Sequence, residues 1–557
     1  MKATRIPPIF TLSRHYWIVV ILVFLAGILS WRTMQLHIGN QSFLQNQGNA
    51  RVIRNIPIAA HRGMLLDRQN RPLAVSVPTE SLWINPQLLD NNQQWKQLLQ
   101  LINKPFENLS DFLADKTSKE FVYLKRHLSP QLANQIRELK MQGVFLQREY
   151  RRYYPAAEMT AHVLGFTDID DKGLEGLEKG LDNRLKGVSG KRAIIQNRQG
   201  QPIGLSEELQ EPKTGEALQL TLDWRLSDSA HRILKEAVKQ HRAKSGSAIV
   251  LDAKTGDVLA MVNQPDYNPN NREHRPISYY RNRAMTDVFE PGSTLKPFTI
   301  AAALESGKYS PHSTVETGDG QLELGEFTIR DGHGYGRIDL TKIIQKSSNI
   351  GAAKIALSLK AEQFWNLLYY AGFGTTSRSE FIGEVSGFVP YFSDWQSTRQ
   401  ASLGFGYGLN VTLLQLARAY AAFANEGFLP QIRFVLEKNP QPLSVVKVMN
   451  PQTAHQVLNM LEKVVSPEGT GYEAMVEGYR VGGKTGTARK TVQGNYANNR
   501  YFSLFVGIAP LSNPRLVVAV LIDEPADQYY GGKVAAPVFS NIMGDALRLL
   551  NIPPDGH

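Results

Sequence analysis

The hydrophobic pattern begins with one long uncharged run near the N-terminus. No Lys, Arg, Asp or Glu lies between Arg14 and Arg32, and residues 16–31 read YWIVVILVFLAGILSW. At about 1.5 Å per helical residue, this run and its flanks are just long enough to span a bilayer, and the terminal aromatic residues suit its two interfaces. A cleaved signal peptide and a buried core helix are the alternatives, but residues 31–36 offer no small-residue cleavage site. The pattern predicts an uncleaved membrane anchor over residues 16–36.

Beyond the anchor the chain has two compositions. Residues 51–210 are polar with short apolar stretches and contain no constellation of catalytic residue types. From about residue 216 the pattern alternates between strands and helices and ends in strands again. The predicted elements are strands at 218–223, 501–508 and 516–522, a helix at 226–241, and a hairpin made by 247–252 and 257–262. This order predicts an α+β fold whose sheet is largely antiparallel.

These patterns divide the chain into five predicted segments. They are a cytoplasmic tail (1–15), the anchor (16–36), a non-catalytic domain (37–215), a catalytic domain (216–551) and a short tail (552–557). Lys2, Arg5 and Arg14 favour a cytoplasmic N-terminus, because positive charge accumulates on the cytoplasmic side of membrane segments. The remainder of the chain is then expected outside the cytoplasm, as in a single-pass, type II membrane protein.

The formal net charge of +11 first suggests nucleic acid or an anionic surface as a partner. Its distribution removes that suggestion. Seven basic residues precede the first acidic residue, Asp67, so the rest of the chain carries 55 basic residues against 51 acidic ones. The sequence therefore predicts a membrane partner and no nucleic acid. The absence of cysteine excludes thiolate nucleophiles and iron–sulfur clusters, and no H-E-x-x-H motif is present, so no metal or cofactor is predicted.

The first candidate for chemistry is Ser293-Thr294-Leu295-Lys296, which follows a Pro-Gly turn and precedes a stretch compatible with a helix. At positions i and i+3 of a helix, the hydroxyl and the amine share one face. Alone, S-x-x-K is weak evidence, since Ser444-Val445-Val446-Lys447 fits the same pattern. That second match reads as a strand, where the two side chains point to opposite faces.

Two further short motifs follow along the chain. Ser347-Ser348-Asn349 opens a helix-compatible run, and by itself it reads as a helix N-cap. Lys484-Thr485-Gly486-Thr487 places two alternating hydroxyls that an extended strand would direct to one side. Such a strand can receive a peptide along its edge and bind its terminal carboxylate through Lys484, Thr485 and Thr487.

A phosphate-binding loop is the rival interpretation of this last segment. Residues 478–485 satisfy G-x-x-x-x-G-K-T, but that motif requires a helix directly after it. The residues that follow are rich in hydroxyls, end in glycine at Gly494 and lack a helical apolar stripe. A nucleotide site would also lie across the membrane from cytoplasmic ATP. The sequence therefore favours a strand.

Together, S-x-x-K, S-x-N and K-T-G are far more specific than each motif alone, because this set is the signature of penicillin-binding proteins and class A β-lactamases. The chain resembles the class B penicillin-binding proteins, in particular the cell-division D,D-transpeptidases of Gram-negative bacteria. The resemblance covers nearly the whole chain after the anchor. It is carried by residues 62–68, 151–170, 286–297, 404–420 and 529–539, and it is weaker over 93–140 and at the C-terminus.

The resemblance implies a transpeptidase domain on a non-catalytic pedestal and a role for each motif residue. Ser293 would attack the penultimate D-Ala of a peptidoglycan stem pentapeptide, with Lys296 as its base. Ser347 would relay a proton to the leaving amine, and Asn349 would orient Lys296 and bind the donor peptide. Lys484, Thr485, Gly486 and Thr487 would form the substrate-binding strand, and the backbone N–H groups of Ser293 and Thr487 would form the oxyanion hole. Lys296 must be neutral to act, so burial and the charge of Lys484 are expected to lower its pKa.

The resemblance also implies β-lactams as inhibitors that acylate Ser293, a polytopic lipid-II polymerase and other division proteins as partners, and an inner-membrane location with the catalytic domain in the periplasm. A β-lactamase is one alternative, and Glu362 in E-x-x-x-N spacing is its candidate for activating water, although its surroundings read as a packed helix. A catalytically inactive scaffold is the other. The intact motif residues argue against it. Asp67-Arg68 and Arg151-Arg152 are interpreted as salt-bridged structure outside the catalytic domain.

Overall fold

The computed structural model describes residues 10–89, 92–105, 107–116, 118–196, 202–273, 275–437, 445–492 and 495–556. These residues form two compact units. The first unit comprises Met1–Ala60, Glu80–Arg148 and Val188–Lys213, and the second comprises His61–Thr79, Glu149–Gly187 and Thr214–His557. Each unit is made of three separate stretches of the chain, so these units do not test the predicted domain boundary at residue 215.

The described helices are, in chain order, α1 Phe10–Met34, α2 Gln41–Val52, α3 Asn92–Leu101, α4 Leu109–Leu113, α5 Pro130–Glu138, α6 Ala161–Leu164, α7 Gly176–Gly180, α8 Asp182–Leu185, α9 Trp224–Gln240, α10 Arg283–Thr286, α11 Lys296–Glu305, α12 Leu340–Lys346, α13 Asn349–Ser358, α14 Ala361–Tyr370, α15 Ser397–Gly404, α16 Leu413–Ala424, α17 Pro451–Glu462 and α18 Gly531–Leu549.

The described strands are β1 Ile53–Ile58, β2 Leu65–Leu66, β3 Pro72–Ile84, β4 Val122–Leu128, β5 Val144–Tyr153, β6 Gly190–Gln196, β7 Pro202–Gln210, β8 Leu218–Gln219, β9 Ser245–Asp252, β10 Val258–Gln264, β11 Thr314–Glu316, β12 Gln321–Leu324, β13 Phe327–Arg330, β14 Arg337–Asp339, β15 Phe428–Leu429, β16 Val446–Lys447, β17 Gly482–Val492, β18 Asn495–Ala509 and β19 Leu516–Asp523.

Helix α1 contains the apolar run of the N-terminus. Over the described residues, a single helical stretch, His15–Gly39, is long and apolar enough to cross a membrane, and its side chains are exposed. The last five residues of this stretch, Gln35–Gly39, form a π-helical turn. The helix therefore fits a single-pass membrane anchor.

The first unit contains an antiparallel sheet and a small helical core. Strand β6 pairs with β1 on one side and with β7 on the other. Helices α3 and α5 pack their apolar faces against β4 and the end of β3. The buried residues of this core include Trp95, Leu98, Leu124, Leu128 and Ile136.

The second unit contains a five-stranded antiparallel sheet in the order β10-β9-β19-β18-β17. Helices α9 and α18 cover one face, where Leu234 and Phe539 pack on Val250 and Val520. Helices α11 and α16 cover the other face, where Phe298 and Tyr420 belong to the larger core. Alternate residues of one strand face opposite layers, so the fold is a three-layer α+β structure, as predicted.

The order of elements agrees with the sequence patterns, with one shortened strand. The predicted strand at 218–223 is limited to β8, because Asp223 ends it by capping α9: the carboxylate of Asp223 accepts a hydrogen bond from the Arg225 N–H at 2.9 Å. The predicted hairpin is present as β9 and β10, and the two C-terminal strands are present as parts of β18 and β19.

A buried ionic cluster holds the segments 61–79 and 149–187 within the second unit. Glu178 is fully buried and its carboxylate accepts from Arg62 Nε at 2.8 Å and from Arg152 Nε at 2.6 Å, while a second Arg62 nitrogen binds Asp182 at 2.7 Å. The predicted salt bridge of Arg152 is therefore confirmed.

The expectation for Asp67 is wrong. Its carboxylate accepts from the backbone N–H groups of Gln69, Arg71 and Trp224 at 2.8, 2.8 and 3.3 Å, so Asp67 closes a turn and does not pair with Arg68. Arg151 donates instead to the backbone oxygen of Asn270 at 3.3 Å. Adjacent charged residues in a sequence do not show whether a carboxylate forms an ion pair or an Asx turn, because the same carboxylate can do either.

We predict that Glu178→Gln destabilises the second unit by about 3–5 kcal/mol, because it leaves two arginines buried without their shared counter-charge. Glu437→Gln is the matched control. Glu437 pairs with Arg184 at 2.6 Å but is half exposed, so its loss is expected to cost about 1 kcal/mol or less. Urea unfolding followed by tryptophan fluorescence measures both variants. Equal shifts of the two unfolding midpoints would contradict the prediction.

Candidate active site

A cleft of about 590 Å³ opens beside β17, the strand at one edge of the five-stranded sheet. Three chain segments meet there: the turn before α11, the junction of α12 and α13, and β17. Together they contribute the cleft-lining residues Ser293, Ser347, Thr485 and Thr487. The structure thus brings the three sequence motifs together, although they are separated by 54 and 137 residues along the chain.

Ser293 and Lys296 are joined by a single tight turn. Gly292–Leu295 form a 3-10 turn that runs directly into α11, which begins at Lys296. In a 3-10 turn, side chains at i and i+3 lie over one another, so the hydroxyl and the amine are held on one side. Gly292 fixes the turn: its φ is +53°, and its N–H donates to the Gly406 backbone oxygen at 3.0 Å.

Neighbouring serines at the junction of α12 and α13 have separate tasks. Ser348 caps α13 by accepting from the Gly351 N–H at 2.9 Å. Ser347 ends α12 in the left-handed region, with φ 61° and ψ 40°. That conformation is strained for a residue with a side chain, and such strain concentrates at functional sites. The capping expected of this motif is therefore performed by Ser348, which leaves Ser347 free to face the lysines.

The Ser347 hydroxyl lies between the amines of two buried lysines. Lys296 Nζ is 3.1 Å from Ser347 Oγ, and Lys484 Nζ is 3.0 Å from it on the other side. Lys296 Nζ also donates to the Ser347 backbone oxygen at 2.5 Å and to Asn349 Oδ1 at 2.8 Å. A neutral Lys296 would keep those two donated bonds, and its single lone pair could accept a proton from Ser347 or from Ser293 in turn. Lys484, Ser347 and Lys296 are thus three groups within hydrogen-bond distance in series.

Burial shifts both lysines toward the neutral form. The pKa of Lys296 lies well below its ordinary value, chiefly because the amine is buried and also because Lys484 is positive, while the carboxylate of Asp331 opposes this shift. Burial alone lowers the pKa of Lys484 to about 7. The direction and both causes expected for Lys296 are thus present in the structure.

Asp331 is a part of the site that the sequence motifs do not indicate. Its carboxylate accepts from the Ser348 hydroxyl at 2.5 Å and from the Asn349 and Ile350 N–H groups at 2.5 and 3.2 Å. It therefore fixes the first turn of α13, from which the Asn349 side chain reaches Lys296. In the sequence this residue stands in a glycine-rich stretch, Asp331-Gly-His-Gly, that looks like an ordinary turn.

Strand β17 presents its predicted substrate-binding residues to two sides. Thr485 and Thr487 line the cleft, as the alternation of a strand requires. By the same alternation the Lys484 side chain starts on the other side of the strand, and its amine reaches the cleft-lining Ser347 hydroxyl at 3.0 Å and the Thr485 backbone oxygen at 3.2 Å. Gly486 leaves room for the Ser293 turn, because a Cβ there would stand 2.9 Å from Thr294 Cγ2.

The alternative interpretations of single motifs do not fit the structure. Residues 482–492 form one continuous strand, so the helix that a phosphate-binding loop requires does not follow Lys484. Val446–Lys447 of the second S-x-x-K match are also in a strand, as predicted, and its Ser444 lies outside the described residues. Glu362 is exposed on α14 and does not line the cleft.

The geometry suits acyl transfer. A serine in the cleft lies one tight turn before a buried lysine, a second serine hydroxyl lies between that lysine and another one, and the edge of β17 can bind an extended peptide. Within the ranges that the structure describes, no group of three or more His, Asp or Glu side chains could hold a metal ion.

Comparison with known protein families gives two matches. Residues 246–544 match the family described as the penicillin binding protein transpeptidase domain, and residues 57–220 match the penicillin-binding protein dimerisation domain. The first match covers the cleft and all three motifs.

Similar proteins cover nearly the whole chain. The probable peptidoglycan D,D-transpeptidase PenA of Neisseria meningitidis serogroup B is 40% identical, over 96% of this chain and 92% of the relative. The peptidoglycan D,D-transpeptidase FtsI of Escherichia coli K12 is 38% identical, over 97% and 91%. Among solved structures, penicillin binding protein 3 of Mycobacterium tuberculosis complexed with aztreonam has a TM-score of 0.70 at 28% identity, over 90% of this chain and 98% of that one.

We predict that Lys484→Met changes stability in a pH-dependent way. Lysine in an unfolded chain titrates near about 10.4, whereas the pKa of folded Lys484 is about 7. Between these values only the unfolded chain holds the proton, so the parent loses stability as the pH falls from about 10 to 7 and no further below that. Methionine carries no such penalty. The unfolding free energy of the variant minus that of the parent should therefore rise over this interval and then level off. A flat difference in urea unfolding would contradict the lowered pKa.

Proposed function

This chain belongs to the penicillin-binding proteins that carry a transpeptidase domain, and from that premise we propose that it is a serine D,D-transpeptidase that cross-links peptidoglycan stem peptides during septal cell-wall synthesis. The observation that carries this proposal is the position of Ser347 Oγ, about equally far from Lys296 Nζ and Lys484 Nζ. A protein that only binds its partners does not require two buried lysines on either side of one hydroxyl. An acyl-transfer enzyme needs a neutral amine and a proton path in this place.

Acylation begins with Ser293 as nucleophile. A serine hydroxyl attacks slowly without a base, and Lys296 stands one turn away with a lowered pKa. Lys296 takes the proton of Ser293 as Oγ attacks the carbonyl of the penultimate D-Ala. The bond from that carbonyl to the terminal D-Ala nitrogen then breaks, and Ser347 delivers a proton to the departing amine. Asn349 holds Lys296 through the 2.8 Å bond to its side-chain oxygen.

Substrate binding and transition-state stabilisation fall to β17 and the Ser293 turn. The donor peptide extends along the free edge of β17, and its terminal carboxylate binds the Thr485 and Thr487 hydroxyls, with Lys484 supplying positive charge behind them. Backbone N–H groups of Ser293 and Thr487 form the oxyanion hole, where one donor contributes roughly 3–4 kcal/mol in comparable enzymes. Gly486 serves this site by keeping the strand close to the Ser293 turn.

The acyl-enzyme is resolved by the amine of a neighbouring stem peptide, which forms the cross-link. A β-lactam acylates Ser293 in the same way, and it stays attached because Glu362, the candidate for activating water, does not line the cleft. The solved relative complexed with aztreonam supports this use of the fold. These features favour a transpeptidase over a β-lactamase.

The location and partners follow from the same proposal. The basic N-terminal tail lies in the cytoplasm, residues 16–36 anchor the chain in the inner membrane, and the non-catalytic pedestal domain (37–215) and the transpeptidase domain (216–551) lie in the periplasm. Helix α1 supports the anchor, because its residues 16–25 are exposed and apolar. The pedestal would dock a polytopic lipid-II polymerase and other division proteins. No cofactor takes part in the proposed reaction.

We predict that a fluorescent penicillin labels the parent chain covalently. Ser293→Ala should abolish the labelling, because alanine lacks the hydroxyl oxygen that forms the ester. Ser310→Ala, on a surface loop, is the matched control and should label like the parent. Gel fluorescence after denaturation measures the label. Absence of labelling in the parent would favour an inactive scaffold, and turnover of the label within seconds would favour a β-lactamase.

We predict a bell-shaped pH profile for the second-order rate of penicillin acylation. The rate rises with pH as Lys296, whose pKa is lowered, becomes neutral, and it falls above about pH 7 as Lys484 loses its proton. In Lys484→Met the positive neighbour is gone, so the pKa of Lys296 should rise and the ascending limb should move to higher pH. An ascending limb that stays in place would contradict the coupling between the two lysines.

A further inference from the structure

A second cavity borders the active-site cleft. A groove of about 980 Å³ lies between α9 and α18, on the face of the sheet opposite α11 and α16. The active-site cleft and this groove share two lining residues, Glu473 and Lys533. Their side chains form an ion pair of 2.6 Å and are 36% and 62% exposed, respectively. The pair therefore stands at the boundary between the two cavities, where any passage from one to the other would lie.

The wall that carries Glu473 is firmly held. Thr470 binds Thr485 of β17 through their hydroxyls at 2.9 Å, and a Cβ at Gly532 would stand 2.2 Å from the Thr470 backbone oxygen. The segment thus packs backbone to backbone on the first turn of α18. Tyr472 is half exposed at the same mouth. Because wall and helix pack together, the backbone positions of Glu473 and Lys533 are held beside Thr485.

We propose that this passage is the acceptor subsite: the stem peptide that supplies the attacking amine lies in the groove between α9 and α18 and enters the cleft across Glu473 and Lys533. This inference rests on the proposed transpeptidase function. It assigns the acceptor stem peptide to the groove, and it gives the ion pair a role in selecting that peptide.

The direction of attack supports this assignment. The terminal carboxylate of the donor binds Thr485 and Thr487, so the departing amine leaves on the side of Thr485 and Thr470. Acyl transfer to an amine is the reverse of acyl transfer from one, and the acceptor nitrogen must therefore occupy the place that the leaving nitrogen vacated. The rest of the acceptor then extends past Tyr472 toward Glu473 and Lys533.

The charges in the passage fit this occupant. An uncross-linked stem peptide carries several carboxylates and one nucleophilic amine. Glu473 offers a carboxylate to the amine as it passes, and Lys533 offers an ammonium group to a carboxylate beside it. The groove beyond is lined by four Lys or Arg side chains and three Asp or Glu side chains, together with two histidines: Arg232, Lys235, Lys239 and Lys533; Asp228, Glu236 and Glu473; His231 and His241. Such a mixed, slightly basic surface suits an anionic peptide that also carries an amine.

The transfer step balances without a further reactant. The acceptor nitrogen forms a bond to the acyl carbon, and the ester bond from that carbon to Ser293 Oγ breaks. The proton released by the amine passes through Lys296 to Ser293 Oγ, which restores the hydroxyl. Glu473 and Lys533 take no part in bond formation, so they are positioning residues that act on acceptor binding.

The test separates acceptor binding from acylation. An acyl-D-alanyl thioester loads Ser293 of the full chain in detergent, and two acceptors compete with water for the acyl group. One is a soluble stem tetrapeptide with a free side-chain amine, which is long enough to reach the groove. The other is D-alanine, which ends at the Thr485 and Thr487 hydroxyls. The readout is the KM for the tetrapeptide divided by the KM for D-alanine.

We expect Glu473→Gln and Lys533→Met each to raise this ratio about fivefold, as loss of one charge contact at a partly exposed interface does. The double variant Glu473→Lys, Lys533→Glu keeps an ion pair between the wall and α18 but reverses its direction, and we expect its ratio to stay raised. Glu462→Gln is the matched control, because Glu462 pairs with Arg480 at 2.7 Å and lines neither cavity. Its ratio should equal that of the parent.

Unchanged ratios in Glu473→Gln and Lys533→Met would overturn the acceptor subsite while leaving the proposed function in place. A parent-like ratio in the reversed pair would also overturn it, since the pair would then serve only to hold the wall. A parent chain that a fluorescent penicillin fails to label would overturn the proposed function itself, and this inference with it.

Discussion

Two buried lysines share one serine hydroxyl, and the rest of the catalytic unit is built to keep them there. Burying a charged amine is costly. The pKa values of both lysines are lowered, which favours their neutral forms and so reduces that cost. The Ser347 hydroxyl between them can accept a proton from one lysine and donate its own to the other. In the proposed mechanism, this arrangement gives Ser293 a base at neutral pH.

The surrounding fold follows from that requirement. The Ser293 turn, the Ser347 junction and β17 come from three distant parts of the chain, so close backbone packing has to hold them in register. A Cβ at Gly406 would stand 1.9 Å from the Gly292 oxygen, and one at Gly531 would stand 2.3 Å from the Gly486 oxygen. Asp331 adds the remaining support by fixing the first turn of α13. The three-layer core fills the space behind these contacts, and the edge of β17 stays open to a peptide.

Much of this could be predicted from the sequence, because motif order and strand periodicity are local signals. The α+β fold, the anchor helix and the hairpin at β9 and β10 belong to that group. The meeting of the three motifs in one site was implied by their resemblance to a known family. Other features depend on contacts between distant residues. Asp331 looks like a turn residue, Asp67 looks like an ion-pair partner, and Glu473 and Lys533 are 60 residues apart with no motif to join them. A strand predicted to reach residue 223 also ends early, because Asp223 caps the next helix.

The central claim is that Lys296 is neutral while Lys484 carries the proton. Its most direct test is ¹⁵N NMR of the lysine Nζ atoms in the ligand-free protein, with Lys296→Met and Lys484→Met used to assign the two signals. The account predicts that the Lys296 signal is that of a neutral amine at pH 7 and that the Lys484 signal titrates near about 7. Two signals that both remain those of charged ammonium groups up to pH 9 would contradict it.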